Sequence, residues 1–313
     1  MPSVKSPPDP TLTRRSALGL VGALPFAAAS SSPASAAPES SARTSERRGY
    51  ADSIYGQIHY RYAKPPAGGP RRLPLLCLHA SPLTGIVYDN WLVEMGRDRL
   101  ALAPDTPGFG GSDAPPAPPE IGDYARAFIG FLDSLELDSV DLMGYHTGAM
   151  TAVEMARRYP HRVRKVVMIS APLFTAEELV AYRSRLLGPP PTYETLLATN
   201  LENWRRDGKG MFRDEPTDER YADISIERMR SYRISTWGHR AAFNYDLASA
   251  FPQAKQPILI LNPEDDLWQM TPRAMQYAKT ATMHDLPGWT HGHLDAHTAE
   301  MAAIVRAFLD KKA

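Results

Sequence analysis

The run Ser139-Val140-Asp141-Leu142-Met143-Gly144-Tyr145-His146-Thr147-Gly148-Ala149-Met150-Thr151-Ala152-Val153-Glu154-Met155-Ala156 decides how this chain folds. Its first part is an apolar, strand-like stretch, and its last part is a small-residue stretch with helical spacing. Gly144-Tyr145-His146-Thr147-Gly148 is therefore the turn that joins strand to helix. The two glycines permit a tight reversal and close packing of the helix, so the middle side chain is thrust into a cleft at the helix N-terminus. The group presented there is an imidazole.

Outward from this turn, short apolar runs alternate with longer amphipathic stretches, the pattern of a sheet covered by helices on both faces. Residues 55–62 alternate as an edge hairpin arm. Residues 75–78, 100–103, 140–143, 166–169 and 258–261 predict buried, mostly parallel strands. Residues 123–135 and 147–159 have helical spacing, with Pro160 stopping the second, and 294–309 predicts a closing helix. The segment 173–250 breaks the alternation. It holds Gly188-Pro189-Pro190-Pro191, many arginines and no core strand, but its aromatics (Tyr182, Tyr193, Trp204, Phe212, Tyr221, Tyr232, Trp237, Phe243 and Tyr245) are too numerous for a linker. The expectation is an α/β fold with a mostly parallel sheet flanked by helices and a helical cap inserted after the sixth strand.

Lysine plus arginine and aspartate plus glutamate each number 35, so no net field draws this chain to nucleic acid or anionic lipid. A small, largely uncharged molecule is the expected partner. At the N-terminus, Thr13-Arg14-Arg15-Ser16-Ala17-Leu18-Gly19-Leu20 resembles a twin-arginine export signal, followed by an apolar run to Ala29 and the small-residue pattern Ala34-Ser35-Ala36. Pro25 interrupts that run, which is too short to span a bilayer. Residues 1–36 are thus expected to be a cleaved signal and 37–49 a disordered lead-in to a domain spanning 50–313. The mature protein is expected to be periplasmic or secreted, without stable membrane insertion. The single cysteine, Cys77, lies in an apolar run and is expected to be buried and inert.

Four motifs fall on loops after different strands, where an open sheet of this kind gathers its site. They are Leu78-His79-Ala80-Ser81-Pro82, Ala103-Pro104-Asp105-Thr106-Pro107-Gly108-Phe109-Gly110-Gly111-Ser112-Asp113, the Gly144–Gly148 turn, and the pair Asn262-Pro263-Glu264-Asp265-Asp266 and Pro287-Gly288-Trp289-Thr290-His291-Gly292-His293. Together they resemble the α/β-hydrolase fold superfamily from about Tyr50 onward, with His146 where the nucleophilic serine usually stands and Ala80 replacing a glycine. The resemblance implies an oxyanion hole from the amides of Ser81 and Thr147, an acid at Asp265 with Asp266 as the alternative, and a catalytic histidine at His291 with His293 as understudy. It also implies a metal-free site that needs no cofactor. His79 is expected to brace its loop, Asp105 and Asp113 to cap turns, and Tyr145 and Trp268 to line an apolar pocket.

A neutral imidazole is a competent nucleophile or base. The positive end of the following helix and a neighbouring His291 predict a lowered pKa at His146, with His291 held by Asp265. The leading expectation is hydrolysis of an ester, lactone or related carbonyl bond, with His146 as nucleophile or as general base. Proton transfer in a lyase, isomerase or cyclase is the alternative, and a catalytically silent ligand-binding receptor is the second class. His146, His291 and Asp265 also make a possible metal-ligand set, which their local spacing does not require.

Overall fold

The computed structural model describes residues 45–70, 72–189, 192, 194–195 and 217–311. The export signal, residues 37–44 of the lead-in, and the cap aromatics Tyr193, Trp204 and Phe212 lie outside the described residues.

The strands are β1 (Arg47–Ser53), β2 (Gly56–Ala63), β3 (Arg72–Leu78), β4 (Arg99–Pro104), β5 (Val140–Tyr145), β6 (Val163–Ile169), β7 (Ile258–Pro263) and β8 (Ala281–Leu286). The described helices are α1 (Asp89–Met95), α2 (Ile121–Ser134), α3 (Thr147–Arg158), α4 (Ala176–Leu186), α5 (Asp218–Arg230), α6 (Trp237–Asn244), α7 (Leu247–Ala250), α8 (His293–Ala296) and α9 (Thr298–Leu309). The sheet order is β1-β2-β4-β3-β5-β6-β7-β8. β2 runs antiparallel to β1 and to β4, and the strands from β4 through β8 are parallel.

Because strand side chains alternate between faces, each apolar run feeds two cores at once. On one face Leu76, Leu78, Leu142 and Ile260 pack with Phe128 and Phe131 of α2 and Met150 and Val153 of α3. On the other, Leu75, Cys77, Met143 and Leu261 pack with Trp91 of α1 and Met301 and Val305 of α9. Cys77 is buried, and burial pushes its thiol far up. The chain leaves β3 toward β4 on one side and continues through β5 on the other, so the ends of β3 and β5 flank the point where the winding reverses. Such a point opens a crevice.

Two expectations need correction. The sheet starts at Arg47, inside the stretch expected to be lead-in, because Arg47, Arg48 and Gly49 pair with Tyr62, Arg61 and Tyr60. Most side chains of this edge strand are not buried, so its ladder is built by backbone hydrogen bonds that leave no apolar periodicity to read. The closing helix is broken at His297, whose ring stacks on Trp289 at 4.2 Å and 4°, while Thr298 Oγ1 donates to the Leu294 carbonyl at 2.6 Å. Between β6 and β7 the described residues form helices, as expected of a cap.

The turn after β5 rests on close backbone approach. A Cβ at Gly148 would collide with the Leu78 carbonyl, and one at Gly144 would collide with the Gly148 carbonyl. Backbone cannot yield as a flexible side chain can. Gly148→Ala is therefore expected to destabilise the fold by about 1–3 kcal/mol or more, whereas Gly188→Ala, with nothing within 4 Å of its added Cβ, is expected to stay within about 0.5 kcal/mol. Thermal melts of both variants check this.

Candidate active site

His146 sits between the last residue of β5 and the first of α3 with φ 48° and ψ −106°. A non-glycine residue at positive φ is strained, a condition that persists only where its surroundings over-determine it. Here the His146 amide donates to the Ile169 carbonyl at 3.1 Å, and its own carbonyl accepts from the amides of Ala149 and Met150. The backbone is thus pinned on both sides, and the imidazole faces a cavity also lined by Ser81, Thr147, His239 and Asp266.

The acid loop after β7 supplies the partner. His146 Nε2 is 2.8 Å from Asp265 Oδ2, which also accepts from Ser170 Oγ at 2.8 Å, and Asp265 Oδ1 accepts from the Leu267 amide at 2.8 Å. Asp265 is buried. Burial alone would push its carboxyl up, but the charge and hydrogen bond of His146, with the charge of His291, hold it below the usual carboxylate range. In turn, burial pulls His146 down, and the Asp265 charge and hydrogen bond more than reverse that, so its pKa is raised. The expectation of a lowered value at His146 is overturned, because a full carboxylate charge at contact distance outweighs the partial charge of a helix end.

The pairing of His291 also differs from expectation. It does not bond Asp265. Its Nδ1 lies 2.6 Å from the Tyr145 hydroxyl and its Nε2 3.1 Å from Asp266 Oδ1. Burial and the nearby carboxylates raise Tyr145 well above its ordinary value, so it stays a phenol. It therefore donates to His291 Nδ1, leaving Nε2–H to donate to Asp266. Both nitrogens of His291 are engaged. His146, by contrast, donates Nε2–H to Asp265 and keeps Nδ1 as a basic nitrogen. The rings lie 5.6 Å apart, edge to face at 72°.

Asp265 and Asp266, weighed as alternatives, thus serve different rings. Asp266 is held low: burial opposes its ionisation, but the His291 hydrogen bond and the charges of both histidines outweigh it. Arg185 of α4 stands 3.8 Å from it, and Tyr182 donates to its carbonyl at 3.2 Å. His293 is no understudy. It is fully buried, donates Nδ1–H to the Thr290 carbonyl at 2.5 Å and has its pKa pulled by burial to about 4. Trp268 is half-buried and absent from the lining of the cavity that His146 faces. Tyr145 is not there either; it lines a separate recess with His291 and Ile224.

His79 and Asp105 meet their expected roles, whereas Asp113 reaches β2 instead of capping its own loop. His79 Nε2 accepts from the Thr106 amide at 2.8 Å while Nδ1 donates to the Ala80 carbonyl at 3.0 Å, tying two loops together. Asp105 accepts from the amides of Gly85 and Gly111 and bonds His59 at 2.8 Å, and Asp113 accepts from the Gln57 amide. Sequence reasoning missed Ser170, which follows β6 at φ 61°. A polar residue at the C-terminal end of a parallel strand was its only signal. It also missed His239 in the cap.

Ligand atoms of His146, Asp265, Asp266 and His291 all lie within 4.8 Å of one another. Bond lengths of about 2.0–2.1 Å to nitrogen and oxygen in a tetrahedral zinc site would require these side chains to close up and give up both imidazole–carboxylate pairs. As it stands, the arrangement is that of two hydrogen-bonded pairs, one of which keeps an open base.

The model of the alpha/beta hydrolase family matches residues 75–304. A 2-hydroxy-6-oxo-2,4-heptadienoate hydrolase of Pseudomonas putida is 35% identical over 102 residues, covering 31% of this chain and 37% of that protein. A 2-(acetamidomethylene)succinate hydrolase of Mesorhizobium japonicum is 26% identical over 227 residues, 68% of this chain and 77% of that one. The crystal structure of the enol-lactonase from Burkholderia xenovorans LB400 superposes with a TM-score of 0.64 at 19% identity, covering 84% of this chain and all of that one, which is a likeness of fold. This chain spans little more than a third of the length of the Pseudomonas putida relative.

If His146 is the working base, its Nδ1 must be unprotonated. Asp265 favours the protonated ring and raises its pKa, so kcat/KM is expected to rise with pH along a limb centred above the ordinary histidine value of about 6.5. Asp265→Asn removes that charge. The limb is expected to move to lower pH and the plateau to fall, which a pH–rate profile measures.

Proposed function

This chain belongs to the alpha/beta hydrolase family, and on that premise we propose that it hydrolyses an ester, lactone or related carbonyl bond of a small substrate, with His146 as general base. The observation carrying this reading is the strained elbow residue whose Nε2 is held by buried Asp265, leaving Nδ1 as the basic nitrogen. The elbow position itself, 146, carries an imidazole and no hydroxyl, so in this reading the attacking oxygen is taken from water.

In this reading Nδ1 removes a proton from a water as its oxygen attacks the carbonyl carbon. The new oxyanion is held by the amides of Ser81 and Thr147, whose residues line the same cavity as His146. His146, now an imidazolium stabilised by Asp265, returns the proton to the leaving oxygen as its bond to carbon breaks. The products are a carboxylic acid and an alcohol. His291, fixed by Tyr145 and Asp266, is a second imidazole beside the path of that proton. Met150, Phe174 and Phe243 line the cavity and suit an apolar substrate body. A base of this kind can also remove a proton from carbon, which keeps enolate chemistry as the competing reading.

A panel of esters, lactones and β-diketones tests the proposal against wild type, His146→Ala and Asp265→Asn. Hydrolysis by the wild type is expected, with kcat reduced about 10²–10⁴-fold in His146→Ala. Rapid-quench intact-mass measurement is expected to show no acyl adduct. An adduct on His146 would make it the nucleophile, and turnover of β-diketones alone would favour carbon deprotonation.

A further inference from the structure

The four ionisable side chains at the elbow and the acid and histidine loops form one group as well as two pairs. One ligand atom from each of His146, Asp265, Asp266 and His291 lies within 4.8 Å of the other three. Four ligand atoms around a tetrahedral cation, at bonds of about 2.0–2.1 Å, stand about 3.3 Å apart. The widest separation here exceeds that by about 1.5 Å at most. Side-chain rotation covers such a distance without moving a strand.

The donor set selects the cation. Two imidazoles with two carboxylates suit a borderline divalent ion such as Zn²⁺, whereas Ca²⁺ and Mg²⁺ favour larger shells built from oxygen. The two carboxylates bring negative charge, and the guanidinium of Arg185, 3.8 Å from Asp266, offsets only part of it. His146 and Asp266 line the same cavity and Asp266 is exposed, so an ion can reach the group from solvent.

Outer partners of the kind that orient metal-binding side chains are already in place. Ser170 Oγ and the Leu267 amide donate to Asp265, and the Asp266 carbonyl accepts from Tyr182. The His291 Nδ1 is 2.6 Å from the Tyr145 hydroxyl, so Nε2 is the nitrogen that ring can offer. A phenol hydroxyl can accept as well as donate. The Tyr145 contact is therefore kept when the Nε2 lone pair goes to a cation and the ring proton moves to Nδ1.

We propose that His146, Asp265, Asp266 and His291 form a Zn²⁺ site whose filling silences the base. The cation takes the place of the two imidazole–carboxylate hydrogen bonds, so the paired and the metal-bound arrangements exclude one another. A neutral imidazole has one ring nitrogen with a free lone pair. Whichever nitrogen of His146 gives that pair to the cation, the other carries the proton, and no base is left for a water. Four protein ligands also close a tetrahedral shell, so no position remains for a metal-activated water. Zinc binding follows from the ligand geometry alone, and its effect on turnover rests on the proposed function.

Calorimetry with zinc chloride, and calcium chloride as the control, tests the site without turnover. Zn²⁺ is expected to bind wild type one to one, with Kd raised about tenfold or more in each of His146→Ala, His291→Gln and Asp266→Asn. Ca²⁺ is expected to bind far more weakly. Thermal melts confirm that each variant is folded. Co²⁺ is expected to give wild type the visible absorption of a four-coordinate ion, which added Zn²⁺ removes. Zinc affinity unchanged in His146→Ala and His291→Gln, or Ca²⁺ binding as tightly as Zn²⁺, would overturn the site. In parallel, hydrolysis of the ester or lactone that the zinc-free protein turns over is expected to fall about 10²-fold or more at saturating Zn²⁺ and to return with EDTA. Turnover left unchanged or raised by bound Zn²⁺ would overturn the silencing. Zinc binding by a protein that, freed of metal, hydrolyses none of the panel would refute the proposed activity and leave the metal site standing.

Discussion

The structure depends on a steric constraint at the end of β5. Gly144 and Gly148 let the backbone of the turn press against the Leu78 carbonyl and against itself with no side chain between. That contact fixes where α3 starts, and with it the positive φ of His146. The strain is sustained by the surrounding hydrogen bonds to Ile169, Ala149 and Met150. Displacing any of these elements would move the imidazole away from the acid loop, which arrives from the far side of β6.

Electrostatics then divides the site. Two adjacent carboxylates, Asp265 and Asp266, each take one imidazole, and the difference between the two pairs is burial. Asp265 is enclosed and bound by three donors, so its charge acts strongly on His146. Asp266 is more exposed and shares its charge with His291 and Arg185. A buried carboxylate that is ionised and hydrogen-bonded makes its imidazole partner more basic, which suits proton abstraction better than leaving a weakly basic ring at a helix end.

The cap completes the cavity and brings its own charge. Its contacts with the main domain are apolar, through Ile224, Ala241 and Ala242, and polar, through Arg220, Ser231 and the pairing of Glu178 with Arg273. Such contacts set register without filling the cleft. Phe174, Phe243 and His239 line what remains, so the cap decides both the apolar and the polar demands on a ligand.

Much of this was legible in the sequence, because it depends on local pattern. Apolar runs of β3, β5, β6 and β7 follow from burial on both faces. The Gly-x-His-x-Gly turn follows from strand and helix meeting at two glycines, and the loop roles of His79 and Asp105 follow from their positions after strands. Edge strand β1 left no apolar rhythm, and the break at His297 arises from stacking on a residue that sequence alone does not bring near. Only the tertiary structure decided that Asp265 serves His146 while Asp266 serves His291, and that Tyr145 lines a recess other than the cavity of His146. The reason is geometric: neighbours in the chain can point toward different partners, and which charge meets which ring depends on angströms between loops more than a hundred residues apart in sequence.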